Sequence, residues 1–305
     1  MEFFKVKTHI DFMAQRKWAM IFSIAISIAS IVALAVNGLN LGLDFTGGTQ
    51  IEVTYQDTAD LNAIRDELGN AGFPQAIVQA YGTSHDVLVR IPPHAEYSPQ
   101  TLKQKIAAAL PGGQIQQIEF IGPQVGKTLL TNGILAIVIS LLVTMIYIAM
   151  RFEMRFAISA AVALIHDPIV ILGIFAFFRI QFDLISLAAL LTIIGYSLND
   201  TIVVYDRVRE NFRRMRKGSV IEIMNASINQ TLSRTIMTSG LTLIVVVALF
   251  VLGGEMLSGF SLALMIGIVI GTYSSIYIAG SFALLIGLNR THLLPAAKKE
   301  IDSLP

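Results

Sequence analysis

The chain has 305 residues, 54% of them hydrophobic and 14% charged, with a formal net charge of +1. So little polar surface cannot cover a soluble globule of this size, which places the chain in a bilayer and gives no sign of a nucleic-acid partner. The absence of cysteine excludes disulfide frameworks, thiolate chemistry and Cys-based metal sites, and no metal is expected.

A basic arm over residues 1–17, with Lys5, Lys7, Arg16 and Lys17, precedes a first apolar run from Trp18 to Val36. Ala33-Leu34-Ala35 resembles a signal cleavage site, but the run exceeds the ~7–15 residues of a signal h-region, so an uncleaved span over 18–37 is expected. Residues 38–127 then read as an extramembrane domain. Asp44 and the pair Gly47-Gly48 precede an alternating strand from Thr49 to Tyr55, and the glycines serve either a special backbone conformation, a close chain approach or a plain turn. A helix near Ala59 to Asn70, strands at Ala76 to Tyr81 and Val87 to Ile91 joined by Gly82-Thr83-Ser84, a helix near Pro99 to Leu110 and a strand at Gln114 to Ile121 follow. The order β-α-β-β-α-β predicts a small α+β domain of ferredoxin-like type between the first two spans. Gly122 to Thr128 imitates a phosphate loop but is one residue short between its glycines, so nucleotide binding is rejected.

Residues 128–288 hold five further apolar runs, each near the ~20 residues a bilayer requires. They are Leu129 to Met150, Phe156 to Phe178, Leu184 to Tyr205, Ile236 to Leu252 and Phe260 to Leu288, and residues 289–305 form a tail. Lys and Arg concentrate in the arm, in the link holding Arg151 and Arg155, in the basic link from Arg207 to Lys217 and in the tail, which predicts both termini cytoplasmic and the large loop outside. The basic link also suits anionic membrane lipid.

Polar residues inside these runs are the candidate functional groups, because a carboxylate at membrane depth costs roughly 2.5–3.5 kcal/mol on insertion scales. The third span carries His166 and Asp167, followed by Pro168, which predicts a kink beside the acid. Asp167 reads equally as a helix-packing residue or as part of a proton path. The fourth span carries Tyr196, Ser197, Asn199 and Asp200, with Tyr196, Ser197 and Asp200 projecting in similar directions. At the fifth, Thr231, Arg234, Thr235, Thr238 and Thr242 recur at helical spacing, and Arg234 falls at the membrane level of Asp200, so a shared polar site is expected. Hydroxyls bonding back to their own helix are the alternative. The sixth has Gly267, Gly271, Ser275, Ala279, Ala283 and Gly287 at intervals of four, a small-residue face for close helix packing.

The segments LGLDFTGGT (Leu41 to Thr49), ALIHD (Ala163 to Asp167), IGYSLNDTIVVYDRVRENFR (Ile194 to Arg213), NQTLSRTIMTSG (Asn229 to Gly240) and GFSLALMIGIVIGTYSSIYIA (Gly259 to Ala279) resemble, in order, the SecD/SecF family of bacterial protein-export membrane subunits. The resemblance implies six transmembrane helices forming half of a resistance-nodulation-division (RND) type transporter in the cytoplasmic (inner) membrane, with a periplasmic domain. A SecD-like subunit would supply the other half, and the Sec translocon channel, its accessory subunits and an exported polypeptide would be the further partners. It implies proton-linked roles for Asp200 and Arg234, no cofactor beyond protons as coupling ion, and no enzymatic activity. Pro168 stands where the family has an aliphatic residue. Two rival readings are a small-molecule or lipid exporter half, for which the outer loop is small, and an intramembrane protease using Asp167 and Asp200, whose flanking residues do not suit that chemistry.

Overall fold

Hydropathy and helix-capping chemistry together set where the long helices begin and end. The computed structural model describes residues 8–93, 99–215 and 218–289, so the basic residues Lys5, Lys7, Arg216 and Lys217 and the tail beyond 289 lie outside the described residues. Among the described residues six helices are long and apolar enough to cross a membrane.

A 3-10 turn at Phe12–Gln15, capped by the Asp11 carboxylate accepting from the Ala14 amide, leads into α1 (Arg16–Asn37). β1 (Asn40–Leu41) and a single helical turn, α2 (Leu43–Thr46), come next. The α+β domain follows as β2 (Gly48–Thr54), α3 (Leu61–Asn70), β3 (Ile77–Tyr81), β4 (Thr83–Ile91), α4 (Pro99–Ala109) and β5 (Gln114–Ile121). Its strands lie in the order β3-β4-β2-β5, every neighbouring pair antiparallel, which is the split βαβ arrangement. Strand alternation sends Ile51, Val53, Val87, Val89 and Ile91 to one face, where they meet Ile64 and Leu68 of α3 and Leu102 and Ile106 of α4. The opposite face presents Gln50, Glu52 and Arg90 to a polar cleft shared with the connection that follows the third long helix. There Arg90 donates from Nε to Gln50 Oε1 at 3.2 Å; desolvation holds its guanidinium below the ordinary value, against the pull of Asp183. The expected Gly82-Thr83-Ser84 turn is tighter: a register shift pairs Tyr81 with Thr83, leaving Gly82 alone at the tip with φ 72°.

The remaining helices are α5 (Pro123–Arg151), α6 (Met154–Phe177), α7 (Leu184–Arg214), α8 (Val220–Leu252) and α9 (Gly254–Tyr273), the last continuing as a π-helical stretch (Ser274–Ala279) and then α10 (Gly280–Leu285); β6 (Gln181–Phe182) precedes α7. α1 and α6 fall within two residues of their expected ends, and each of the other long helices departs further at one end or both. α5 starts earlier because Pro123 occupies its first turn, where a missing N–H costs nothing. α8 starts at Val220, well before the apolar run at Ile236, because Ser219 and Glu222 form a capping box. α7 runs on to Arg214, its charged end laced by Arg207 and Arg214 to Glu210, so most of the basic link is helix. The last expected span is interrupted by the π stretch and ends before Gly287, which sits outside the helix at φ 76°. Pro168 lies within α6, which is assigned as one helix across it.

α6, α7 and α9 are the buried helices of the bundle; α1, α5 and α8 turn large apolar side chains such as Phe22, Leu142 and Ile244 outward, as lipid contact requires. α1 seats on α6 where Ser30 fills the space that a side chain at Gly173 would need. The glycine pair does both special things considered for it. Gly47 has φ 71° and its missing Cβ would lie 2.9 Å from Pro123 Cα; Gly48 has φ 128° and would place a Cβ 2.5 Å from the Ile91 carbonyl oxygen. Gly126 of α5 is equally confined, since a Cβ there would lie 2.9 Å from Phe45 O. Gly48→Ala is therefore expected to destabilise the chain by about 1–3 kcal/mol, read as a lowered thermal midpoint of the purified protein in detergent, whereas the same change at Gly69, which has open space around it, should cost little.

Candidate functional site

An aspartate in an apolar helix must find donors on neighbouring helices, and Asp167 does. It is 1% exposed in the middle of α6. Its Oδ2 accepts from Ser197 Oγ of α7 at 2.5 Å and from Ser274 Oγ, at the start of the π stretch, at 2.8 Å, while Oδ1 lies 3.0 Å from His166 Nδ1. Three buried elements thus converge on one carboxylate. The Nε2 of His166 is buried without a hydrogen-bond partner among the described residues.

Asp200 is as deeply enclosed, 4% exposed, but poorly supplied. Its single hydrogen bond among the described residues is a long one, accepted by Oδ2 from Ser239 Oγ of α8 at 3.4 Å. Ser239 is also 2.9 Å from Thr272 Oγ1 of α9, and the Tyr196 hydroxyl reaches it at 3.5 Å. A carboxylate with so few donors is costly to bury in apolar surroundings.

The structure separates some residues that spacing had grouped. Ser197 turns to Asp167 rather than to Asp200. Asn199 lies on the exposed side of α7 and is not part of the buried site. The stripe on α8 resolves into two faces, because residues four apart recur on one side while a residue one position away is rotated by about 100°. Thr231, Thr235 and Ser239 are buried, whereas Arg234 and Thr238 are exposed. Thr231 donates to the carbonyls of Ser227 and Ile228, Thr238 to those of Arg234 and Thr235, and Thr242 to Thr238 O, so these hydroxyls close on their own helix. Arg234 is near enough to Asp200 for a through-space electrostatic interaction but forms no ion pair within 4.0 Å among the described residues. On α9, Gly267 packs against Ile193 and Gly271 against Ser197, whose Cβ would lie 3.0 Å from any Cβ added at Gly271, so the small-residue face fits the helix that carries Asp200. Ser275, Ala279 and Ala283 are buried beyond it.

Sequence reasoning missed Ser239, Thr272 and Ser274. One signal was present: Ser239 continues the four-residue series Thr231, Thr235. The groups at the far end of α7 also went unread, where Asn211 donates to Ser227 Oγ and to Gln230 Oε1, both at 2.9 Å, and the buried Tyr205 hydroxyl meets Ser159 Oγ at 2.7 Å.

Residues 101–289, which hold both aspartates and Arg234, match the C-terminal region of the protein export membrane proteins SecD/SecF, and residues 32–59 match the SecD/SecF GG motif, which includes Asp44, Gly47 and Gly48. A protein translocase subunit SecF from Vibrio alginolyticus is 50% identical over 99% of this chain and 98% of its own length. The chain belongs to the SecF family of protein translocase subunits. A SecF from Escherichia coli O157:H7 is 46% identical over 93% of this chain and 90% of that protein. The crystal structure of SecDF, a translocon-associated membrane protein from Thermus thermophilus, superposes with a TM-score of 0.83 at 34% identity; the match covers 93% of this chain and 39% of that one, so this SecF-family chain spans well under half of it. A SecDF structure in a super-membrane-facing form gives 0.70 over the same share. This is accordingly a multi-pass membrane protein of the export machinery with a ferredoxin-like domain between its first two spans.

Because Ser197 and Ser274 both donate to one oxygen of a buried carboxylate, removing either leaves that oxygen under-supplied. Ser197→Ala and Ser274→Ala should each cost about 1–3 kcal/mol, and the double variant, which leaves the oxygen with neither hydroxyl, more than their sum, measured as thermal midpoints in detergent.

Proposed function

We propose that this SecF-family chain is the half of a SecD–SecF complex that couples proton passage to protein export through the Sec translocon, in the bacterial inner membrane. The observation that carries this reading is the contrast between two buried aspartates: among the described residues Asp167 is tied to three partners, while Asp200 has one long hydrogen bond and a cation in the neighbourhood that does not pair with it. Asp167 then acts as the fixed knot of the bundle and Asp200 as the group that takes up and releases a proton. Approach of the Arg234 guanidinium stabilises the carboxylate; its withdrawal in apolar surroundings stabilises the protonated acid. Tyr196, Ser239 and Thr272 supply hydroxyls along which a proton can reach the site. No cofactor other than the proton is required.

The exposed Asn199, Arg234 and Thr238 on adjacent helices suit a partner half better than lipid, since polar groups facing hydrocarbon are costly. A SecD-like subunit on that face would close the site. The basic residues Arg151, Arg155, Arg207 and Arg214 lie at the bundle end opposite the α+β domain, which supports a cytoplasmic position for that end and for both termini, and a periplasmic position for the domain. Lower agreement with the super-membrane-facing form than with the other SecDF structure, at equal identity and coverage, supports an architecture whose parts take more than one arrangement. The domain's motion would draw an emerging polypeptide outward.

One charge crossing the full potential yields about 2.3 kcal/mol per 100 mV, a several-tens-fold bias between two arrangements. Asp200→Asn in the assembled complex should therefore abolish the gradient-dependent part of export in inverted vesicles, a loss of about tenfold or more, while export without a gradient continues. Unchanged gradient dependence in that variant would show that Asp200 is not the coupling group.

A further inference from the structure

A proton event at Asp200 does useful work only if it reaches the α+β domain, and the covalent chain offers no short route, because α7 enters from the α6 connection rather than from the domain. The noncovalent route is specific. The first amide of α7, Leu184 N, donates to Asp44 Oδ2 at 2.9 Å, from a residue 140 positions earlier in the chain. Asp183 caps the same helix through Ser186 N at 2.7 Å, so the N-terminus of α7 is held by two carboxylates, one of its own and one borrowed.

Asp44 is itself firmly mounted. β1 pairs in parallel with β6, Asn40 opposite Gln181 and Leu41 opposite Phe182. Gly42 N donates to Phe182 O at 2.8 Å, Asn40 Nδ2 to Arg179 O at 2.9 Å, and Arg179 Nη1 to Asn37 O at 2.5 Å. On its other side α2 passes through Gly47-Gly48 straight into β2, one of the two inner strands of the domain sheet, and is pressed against α5 at Gly126. α2 thus touches α7, α5 and the sheet at once.

We infer that α2 is the joint through which displacement of α7 is delivered to the α+β domain, with Asp44 as the positioning residue that grips the helix end. The inference rests on the proton-coupled reading above and adds the part that transmits it. Asp200 stands 16 residues along α7 from the gripped amide, about 24 Å at 1.5 Å per residue, so a shift or tilt of the helix at the site is passed to Asp44 through rigid backbone.

The test uses the whole SecD–SecF complex in proteoliposomes. The chain has no cysteine, so two introduced ones, at the exposed Gln104 of α4 and Leu252 of α8, can carry spin labels against a cysteine-free partner subunit. The interlabel distance is measured with and without an imposed proton gradient. Asp44→Ala should lose most of the gradient-dependent change, and Asp44→Asn, whose amide oxygen still accepts a hydrogen bond, should restore it. Leu184→Pro deletes the donor at a first-turn position where proline is tolerated, and Asp183 is already extended with ψ −177°, so this variant should reproduce Asp44→Ala with every carboxylate in place. A wild-type change in both Asp44→Ala and Leu184→Pro overturns the inference, and Leu184→Pro decides alone if Asp44→Ala does not assemble. A wild-type complex whose distance ignores the gradient instead overturns the proton-coupled reading, and the inference with it.

Discussion

The bundle depends on a carboxylate that cannot be left alone. Asp167 sits where water does not reach, and its burial is affordable only because Ser197 of α7 and Ser274 of the last helix aim hydroxyls at it beside His166. That demand fixes the rotation of two helices about their axes, which apolar packing among Leu, Ile and Val side chains would leave loosely specified. Once α7 is rotated to present Ser197, its neighbour one turn on, Asp200, must face α8 and α9. The second aspartate owes its surroundings to the first.

The fixed and the adjustable parts of the molecule are therefore close together. Gly267 and Gly271 let α9 lie against α7 at Ile193 and Ser197, so the two buried helices nearest Asp200 approach each other closely. Toward α8 the contact is hydroxylic and longer, and the cation on that helix is turned out. At the level of Asp200 the contact of α7 with α8 is thus looser than at Asn211, where two 2.9 Å hydrogen bonds tie the same pair of helices.

Much of this was legible in the residues. Hydropathy located six spans, alternation and turn residues located the four strands of the domain, and Asp167 and Asp200 stood out as carboxylates in apolar surroundings. What sequence could not reveal was rotation. Arg234 and Ser239 lie about one and a half turns apart on the same helix, yet one faces out and one faces Asp200, and packing decides which. A serine such as Ser274 looks the same in sequence whether it bonds its own helix or a carboxylate across the bundle. Helix ends were misplaced for a different reason: hydropathy does not sense the capping box at Ser219 and Glu222 or the proline at the start of α5, and these extend helices beyond the apolar core. The role of Asp44 at the end of α7 was unreadable because its partner is a backbone amide, which every residue but proline possesses.

The π-helical stretch at Ser274–Ala279 bears on how this chain can change in length. Each π turn takes in one residue more than an α turn, and that extra residue lets Ser274 meet Asp167 while Ala279 and Ala283 still fall into the core further along. A one-residue deletion here would leave a helix of good α geometry and lose either the hydroxyl or the packing. The register of the last helix is thus set within six residues, by a side chain on a different helix.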